Sequence, residues 1–386
     1  MAEWATRDGP GGDKLPTTGP PSIRDARVLF GTGYRGKSPT DERLMRDPGL
    51  KAAERRLQPR FIKCLILVAF LLAAGATLRS DVRDEGPDRR PSPERLADVR
   101  FAPLVLERDI GRGVRLGGAW TVQVDDSRFA GLSGLASLGG GRLRGLTDSG
   151  VLVDLPDPGT SRRLARLRDL PDGPGTPFFK KHRDAEALIV DADGAGQWIA
   201  FENRHSLWRF GRDGGSFSFA LPSRGWRVNQ GIEAMVREPG DRALLLLPEG
   251  GSVVWRFAGP IGRRHALSGA TGGIADAARL PDGRIVVAVR ELRALGLRNR
   301  LAWLERDGAA YRLRPFATLP LGPFDNVEGL AAESLPGGRT RLWAVTDNDG
   351  WRRTLLLRME IARRARDGSD RSGTPGQARG DASERQ

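Results

Sequence analysis

Residues 231–257 read GIEAMVREPGDRALLLLPEGGSVVWRF. Two apolar runs flank a turn that contains Gly, which is the pattern of a β-hairpin. Glu233 stands at the head of the first run, and Glu249 follows the second run sixteen positions later. Because a hairpin returns the chain to its starting point, the two carboxylates are expected to be neighbours.

Four other stretches repeat this pattern, at 129–155, 183–210, 273–293 and 326–361. Each has a small or acidic marker residue, an apolar run, a turn with Gly, a second apolar run and a closing acid. The spacing from marker to closing acid is 15, 16, 16, 15 and 19 residues along the five units. The marker and closing residues are Ser133 with Asp148, Glu186 with Glu202, Glu233 with Glu249, Asp276 with Glu291, and Glu328 with Asp347.

Successive units begin 43 to 53 residues apart, and a period in this range with several short strands per unit is the signature of propeller blades. SLWRF, VVWRF, LAWLER and TLLLRMEI provide third strands, and SFSFALP and AYRLRPFATL provide fourth strands. The sequence therefore predicts an all-β fold, a β-propeller of five to six blades over residues 99–362. Five units are clear, and a sixth could be assembled from residues 99–113. The segment VRLGGAWTVQV at 114–124 is expected to give an outer strand to the last blade and so remove an open edge.

The first strand of each propeller blade lines the central channel, so the paired acids are expected to crowd one rim of it. Hard cations such as Ca²⁺ take carboxylate and amide oxygens as ligands, so we expect a divalent cation, Ca²⁺ by this chemistry, at the rim. The candidate metal ligands are Glu186, Glu202, Glu233, Glu249, Asp276, Glu291, Glu328 and Asp347. The candidate substrate-binding residues are Asn203, Arg204, Asn326, Asn348, Arg352, Lys181 and Arg183. No residue is assigned a catalytic role.

An ordered set of motifs resembles the bacterial family known as "esterase-like activity of phytase". These motifs are FAGLSGL (129–135), DAEAL (184–188), GIEAM (231–235), NVEGL (326–330) and AVTDNDG (344–350). The resemblance covers about 115–361 and implies an exported, propeller-like protein that hydrolyses a small-molecule ester or phosphoester. Phytases of the propeller type work with calcium over an acidic channel mouth, which the acids of this chain match. The chain departs from the family pattern at Asp276-Ala277, and Ala replaces Gly after Glu186 and Glu233.

Two other functions remain open. A serine esterase would need a serine, a histidine and an acid in register. Ser133 lies in a sequence that resembles G-x-S-x-G, but Leu135 stands where the second glycine is required, and the histidines at hand are His182 and His205. A non-catalytic propeller that binds a ligand or a protein at the same mouth is the third possibility, since fold does not fix function.

The composition argues against a nucleic-acid partner despite a net charge of +14 over 386 residues. Residues 1–80 hold 14 Lys and Arg against 8 Asp and Glu, so much of the excess lies outside the predicted propeller. The remainder forms no cluster of cations interleaved with aromatic residues, as such binding requires. Cys64 is the single cysteine, which excludes an intramolecular disulfide and a cysteine metal site.

The sequence of the N-terminal quarter predicts that the protein is exported. Residues 1–60 are basic and predicted to be disordered, and the apolar segment 61–78 follows a basic flank, as in a signal peptide or signal anchor. Ala74-Gly75-Ala76 resembles a cleavage site, and Met45 is a possible alternative start. We therefore expect a periplasmic protein, either soluble after cleavage or anchored in the inner membrane. Residues 79–98 are predicted to be a linker, and 363–386 a disordered tail.

Overall fold

The computed structural model describes residues 87–362 apart from 193, 195, 222–230, 241–242, 260 and 348–351. The chain divides into two compact units, Met1–Arg83 and Asp84–Gln386, and all described residues lie in the second. The predictions for 1–60, 61–78 and 363–386 fall outside the described residues. Within the described part of the chain, no helix is long and apolar enough to cross a membrane.

The described residues form five antiparallel sheets of four strands, each of which is one blade. The all-β prediction is confirmed, and so are the third and fourth strands expected from the sequence. Blade 1 consists of β4 (Leu132–Gly139), β5 (Arg142–Thr147), β6 (Val151–Leu155) and β7 (Leu164–Asp169). Blade 2 consists of β8 (Ala185–Val190), β9 (Gln197–Phe201), β10 (Ser206–Phe210) and β11 (Ser216–Ala220). Blade 3 consists of β12 (Ile232–Arg237), β13 (Leu244–Pro248), β14 (Val253–Phe257) and β15 (Gly262–Ser268). Blades 4 and 5 consist of β16 (Gly273–Arg279), β17 (Ile285–Arg293), β18 (Gly296–Asp307) and β19 (Ala310–Thr318); and β20 (Asn326–Ser334), β21 (Thr340–Asp347), β22 (Thr354–Ile361) and β3 (Val114–Val124).

The second strand of a blade is buried on both faces, which explains the continuous apolar runs in the sequence. In β13, Leu244 and Leu246 pack against blade 2, whereas Leu245 and Leu247 pack against blade 4. Successive side chains of a strand point to opposite faces, so four consecutive leucines serve two different cores.

Five apolar clusters fill the five gaps between neighbouring blades. The cluster between blades 5 and 1 includes Trp343 and Leu143, which closes the ring. At the axis the inner strands β4, β8, β12, β16 and β20 each contact the next, and β20 contacts β4. A Cβ added at Gly329 of β20 would lie 2.8 Å from the Cβ of Leu135 in β4, so glycine permits this approach. The arrangement is a five-bladed β-propeller.

The strand that completes the last blade comes from the beginning of the domain, as the sequence predicted. β3 pairs antiparallel with β22, with Val122 opposite Thr354. Residues 99–113 do not make a sixth blade. They contribute to β1 (Arg95–Pro103), which pairs with β3 and β7, and to β2 (Asp109–Gly111), which pairs with β3 and β19. β1 begins four residues before the predicted domain boundary at residue 99.

Candidate functional site

A β-bulge opens the inner strand of every blade. One residue of each inner strand has no partner on the second strand, and the register shifts there. Such an extra residue bends the strand and turns its side chain out of the ordinary alternation. The bulge residues of blades 1 to 5 are Ser133, Glu186, Glu233, Ala275 and Glu328.

The closing position lies on the second strand, one residue past the partner of the residue before the bulge. In blade 3, for example, Ile232 pairs with Pro248, so the closing residue is Glu249. Four blades place an acid there, whereas blade 4 places Arg290. The closing residues of blades 1 to 5 are Asp148, Glu202, Glu249, Arg290 and Asp347. We call the bulge residues, the closing residues and the side chains beside them the mouth.

Two predicted metal ligands of blade 4 are therefore displaced by one position each. Asp276 lies one residue after the bulge, is 1% exposed, and accepts backbone N–H bonds from Ala277 at 2.7 Å and Leu330 at 2.6 Å. The bond from Leu330 connects the inner strands β16 and β20. Asp276 therefore belongs to the contact between these strands and not to the ring of bulge residues. Burial raises the pKa of Asp276 well above its ordinary value, and these N–H bonds oppose the rise.

Glu291 lies one residue after the closing position and belongs to a different ion-pair network. It accepts hydrogen bonds from Arg293 at 2.5 Å, from Arg300 at 2.9 Å, and from the hydroxyl of Thr271. Burial tends to raise the pKa of Glu291, but these bonds and charges lower it to about 2. Arg293 and Arg300 therefore neutralise the Glu291 carboxylate, and this network is separate from the closing residues.

The densest group of acids belongs to blade 2. Asp184, Glu186 and Glu202 each offer one carboxylate oxygen, and these oxygens all lie within 4.8 Å of one another. Asn203 donates a hydrogen bond to Asp184, and Glu202 is 7% exposed. We call these three acids the acid triad. A group of this kind could hold a metal ion.

Two cations face the acids. Lys180, on a 3-10 turn at Lys180–His182, places its Nζ 2.9 Å from Asp148 and 3.5 Å from Asp184. Partial desolvation tends to lower the pKa of Lys180, yet the Asp148 and Asp184 carboxylates raise it above its ordinary value. Lys180 thus links the closing acid of blade 1 to the acid triad.

Arg290 is the second cation and lies among the acids of blades 3 and 5. Its guanidinium is 3.6 Å from Glu233 Oε2 and 3.7 Å from Glu249 Oε1, and it forms a close ion pair with Glu328. Asn326 donates to Glu328 and accepts from Arg290 at 3.4 Å. Asp347 pairs with Asn326 in the ladder between β20 and β21, and its charge raises the pKa of Glu328.

Burial and like charge raise the pKa values of several mouth acids. The pKa of Glu202 rises to about 8 because it is buried and faces Glu233 and Asp184. The pKa values of Glu233 and Glu328 also rise to about 8, chiefly through burial, although Arg290 lowers both. Burial and neighbouring carboxylates raise the pKa of Glu186 well above its usual range. Perturbed carboxyl groups that converge in this way are a mark of functional sites.

The predicted substrate-binding residues divide into three groups. Asn203 and Asn326 lie inside the mouth, bonded to its acids. The second group has contacts with other residues: Lys181 is near the ring of Phe179, Arg204 contacts His182 Nε2 at 2.8 Å, and Arg352 donates to Phe324 O at 2.6 Å. Arg183 is buried against Gly173, and Asn348 falls outside the described residues.

The geometry does not provide a serine nucleophile at Ser133. Its hydroxyl donates to the backbone carbonyl of Ala185 and lies 3.4 Å from that of Leu146. Among the hydrogen bonds of the described residues, none joins Ser133 to His182 or His205. Ser133 ties the inner strands of blades 1 and 2 together.

Asp184 was not among the predicted metal ligands, although the sequence carried a signal for it. It stands directly before β8 and two residues before Glu186, and residues i and i+2 of an extended chain share a face. Arg290 could not be separated from Glu291 by sequence, because only the position of the bulge decides which of the two faces the mouth.

A family model described as "Phytase-like: Esterase-like activity of phytase" matches residues 127–350. No curated protein matches the chain.

Several solved structures are similar in outline. Virginiamycin B lyase from Staphylococcus aureus is 10% identical with a TM-score of 0.36, and the match covers 69% of this chain and 100% of that one. A streptogramin B lyase is 9% identical with a TM-score of 0.36, covering 68% and 97%. U3-55K is 11% identical with a TM-score of 0.35, covering 67% and 98%. We draw no functional conclusion from likenesses this distant.

Proposed function

The chain belongs to the phytase-like family, and from this premise we propose that it is a metal-assisted hydrolase of esters or phosphoesters that acts at the acidic mouth. One observation carries the proposal. The fold holds Asp184, Glu186 and Glu202 together although burial and like charge oppose their ionisation. A cation in the triad would remove that opposition.

The spacing of the triad fits a hard cation. Ca²⁺ binds oxygen at about 2.3–2.6 Å, so ligands on opposite sides of the ion are roughly 5 Å apart. The oxygens of the triad lie within 4.8 Å of one another, which satisfies this limit. Ca²⁺ takes about six to eight oxygens, so neighbouring mouth side chains and water would complete the set. We therefore propose Ca²⁺ as the ion.

The chemistry divides between the ion and the chain. A bound divalent cation supplies charge that polarises an ester or phosphoryl oxygen and lowers the pKa of a bound water. Arg290, whose side chain is 16% exposed, is engaged with three acids and neutralises them. The Lys180 side chain is 48% exposed, and we assign it to bind an anionic oxygen of the substrate.

The N-terminal sequence is the basis for proposing the cellular compartment of the protein. We propose that residues 61–78 export the chain to the periplasm, where the domain is released by cleavage or remains anchored in the inner membrane. The basic flank and the apolar length of the segment support this proposal.

Substitution of one triad acid tests the site. Glu202→Gln keeps the shape of the side chain but removes a charged ligand, so calcium should no longer raise the melting temperature. Hydrolysis of p-nitrophenyl acetate and p-nitrophenyl phosphate should fall about 100-fold, because the ion polarises the reacting oxygen. Metal content, melting temperature with and without calcium, and turnover are the measurements.

Glu305→Gln is the matched control, since Glu305 is 44% exposed and pairs with Arg314 away from the mouth. It should leave all three measurements unchanged. Unaltered calcium response and turnover in Glu202→Gln would overturn the assignment. A calcium response without turnover on either ester would support the non-catalytic binding propeller instead.

A further inference from the structure

One hairpin of the propeller reaches past the mouth. In blades 1, 2, 3 and 5 the second strand ends at the closing position or one residue before it. In blade 4, β17 continues three residues beyond Arg290 to Arg293, and the chain returns along β18 from Gly296. Among the described second strands, this extension occurs in blade 4 alone.

The extension carries apolar side chains into solvent. Leu292 is 83% exposed and Leu295 is 86% exposed. Leu292 follows Arg290 by two residues in a regular strand, so the two side chains share a face about 7 Å apart along the chain. Because Arg290 contacts acids of blades 3 and 5, Leu292 lies next to the mouth, on the same strand face as Arg290.

Blade 5 adds a third apolar side chain from the loop that precedes it. Phe324 is 62% exposed and lies two residues before Asn326 of the mouth. This loop is fastened to the hairpin, because the backbone N–H of Leu297 donates to Pro323 O at 2.7 Å. We call Leu292, Leu295 and Phe324 the apolar lip.

The lip indicates the kind of molecule that the mouth receives. Large apolar side chains exposed together beside a polar cluster mark a surface that covers apolar groups. Three side chains are far fewer than the roughly 20–30 residues per side of a stable protein interface. Leu292 and Phe324 each lie two residues from a mouth residue, Arg290 and Asn326, which is a distance that one small molecule can span.

We propose that the apolar lip is a specificity element that binds the hydrocarbon part of an amphiphilic ester or phosphoester whose polar head occupies the mouth. The inference rests on the proposed function and adds the class of substrate. Acyl or alkyl esters would be preferred over fully polar ones such as sugar phosphates, because only the former cover the lip.

A series of alkylphosphonates from methyl to octyl separates the lip from the mouth. Titration calorimetry on the full chain with calcium should show affinity rising three- to fourfold per added methylene until the lip is covered. In the double variant Leu292→Ser with Leu295→Ser the rise should disappear, while methylphosphonate binds within twofold of the parent. Leu96→Ser with Leu164→Ser is the matched control, since both leucines are exposed on the outer strands β1 and β7.

The possible results distinguish the lip from the mouth. Methylphosphonate binding with no dependence on chain length overturns the lip and leaves the mouth in place. Absence of binding by every phosphonate overturns both. A rise that the control abolishes as well assigns the effect to a general apolar surface and overturns the lip. Binding to phosphatidylglycerol vesicles that requires Leu292 and Leu295, together with a flat chain-length series, would assign the lip to a membrane surface.

Discussion

Arg290 is the residue around which the mouth acids of blades 3 and 5 are arranged. Its guanidinium contacts Glu233, Glu249 and Glu328 while 16% of its side chain is exposed. With so little water nearby, the loss of this one charge would leave buried carboxylates without a counterion, and breaking a buried pair in that way is strongly destabilising.

We expect Arg290→Gln to lower the free energy of unfolding of the metal-free protein by about 3 kcal/mol at pH 8. The loss should be smaller at pH 5, where Glu233 and Glu328 hold their protons and need no counterion. Urea unfolding at the two pH values in EDTA measures both quantities.

The control for this variant is Arg314→Gln. Arg314 is 66% exposed and its partner Glu305 is 44% exposed, so the change should cost about 1 kcal/mol or less at either pH. Equal losses for the two arginine variants would show that Arg290 does not neutralise the mouth.

The same residue shows how far the sequence leads. The recurrence of acids at constant spacing was enough to predict a shared rim, and it correctly paired Glu186 with Glu202 and Glu233 with Glu249 as blade partners. In blade 4 the acids Asp276 and Glu291 kept that spacing. Because both are acidic, they were chosen as ligands in place of their neighbours Ala275 and Arg290, which occupy the bulge and closing positions. A shift of one residue turns a strand's side chains to the other face, and the bulge that sets this shift has no sequence signature here.

The inner strands of blades 5 and 1 meet at two glycines, Gly329 and Gly134. A Cβ at Gly329 would lie 2.8 Å from both Leu135 Cβ and Val345 Cγ1, and 3.1 Å from the backbone carbon of Gly134. Two of these neighbours belong to the adjoining blade, so the contact fixes how closely the ring can close.

We expect Gly329→Ala to lower the free energy of unfolding by about 1–3 kcal/mol, because overpacking at a closed contact forces the strands apart. Thermal and urea unfolding at pH 6 measure the change. Gly259→Ala is the control, since no atom lies within 4 Å of its Cβ position, and it should be nearly neutral. A neutral Gly329→Ala would mean that the inner strands can separate freely.

Most strands could be predicted from the sequence because each carries an apolar run between turns. β3 is the informative case: a strand pattern ahead of the first repeat predicted a completing role in the last blade, and β3 does pair with β22. The projection of β17 and β18 could not be predicted. Leu292 and Leu295 are the same residue type as the leucines of the core, and sequence alone does not say where a hairpin leaves the blade.

For the whole molecule, the mouth makes stability depend on pH. The pKa values of Glu202, Glu233 and Glu328 rise to about 8 from an ordinary 4.5. Between these values the folded protein binds more protons than the unfolded chain, so the free energy of unfolding falls as the pH rises.

We therefore expect the melting temperature in EDTA to be highest near pH 5 and to fall toward pH 8. Calcium should reduce that fall, because metal binding replaces protons on the acids. Calorimetric scans from pH 5 to pH 8 with EDTA or with calcium provide the comparison. A melting temperature in EDTA that is level or rises over this range would contradict the placement of the mouth acids.

The pairing of Val122 with Thr354 also has a consequence for biosynthesis. β3 leaves the ribosome before any strand of the five inner hairpins, yet its partner β22 is the last of the described strands to be translated. Until β22 is made, β3 and β21 each have a backbone edge without its partner strand, a condition that favours association between nascent chains. Closure joins segments remote in the chain, so the final assembly step should be slow and should depend on the complete polypeptide. Chains truncated before residue 354 would keep β3 and β21 without their partner strand. We expect such chains to aggregate or to be bound by chaperones and degraded by proteases.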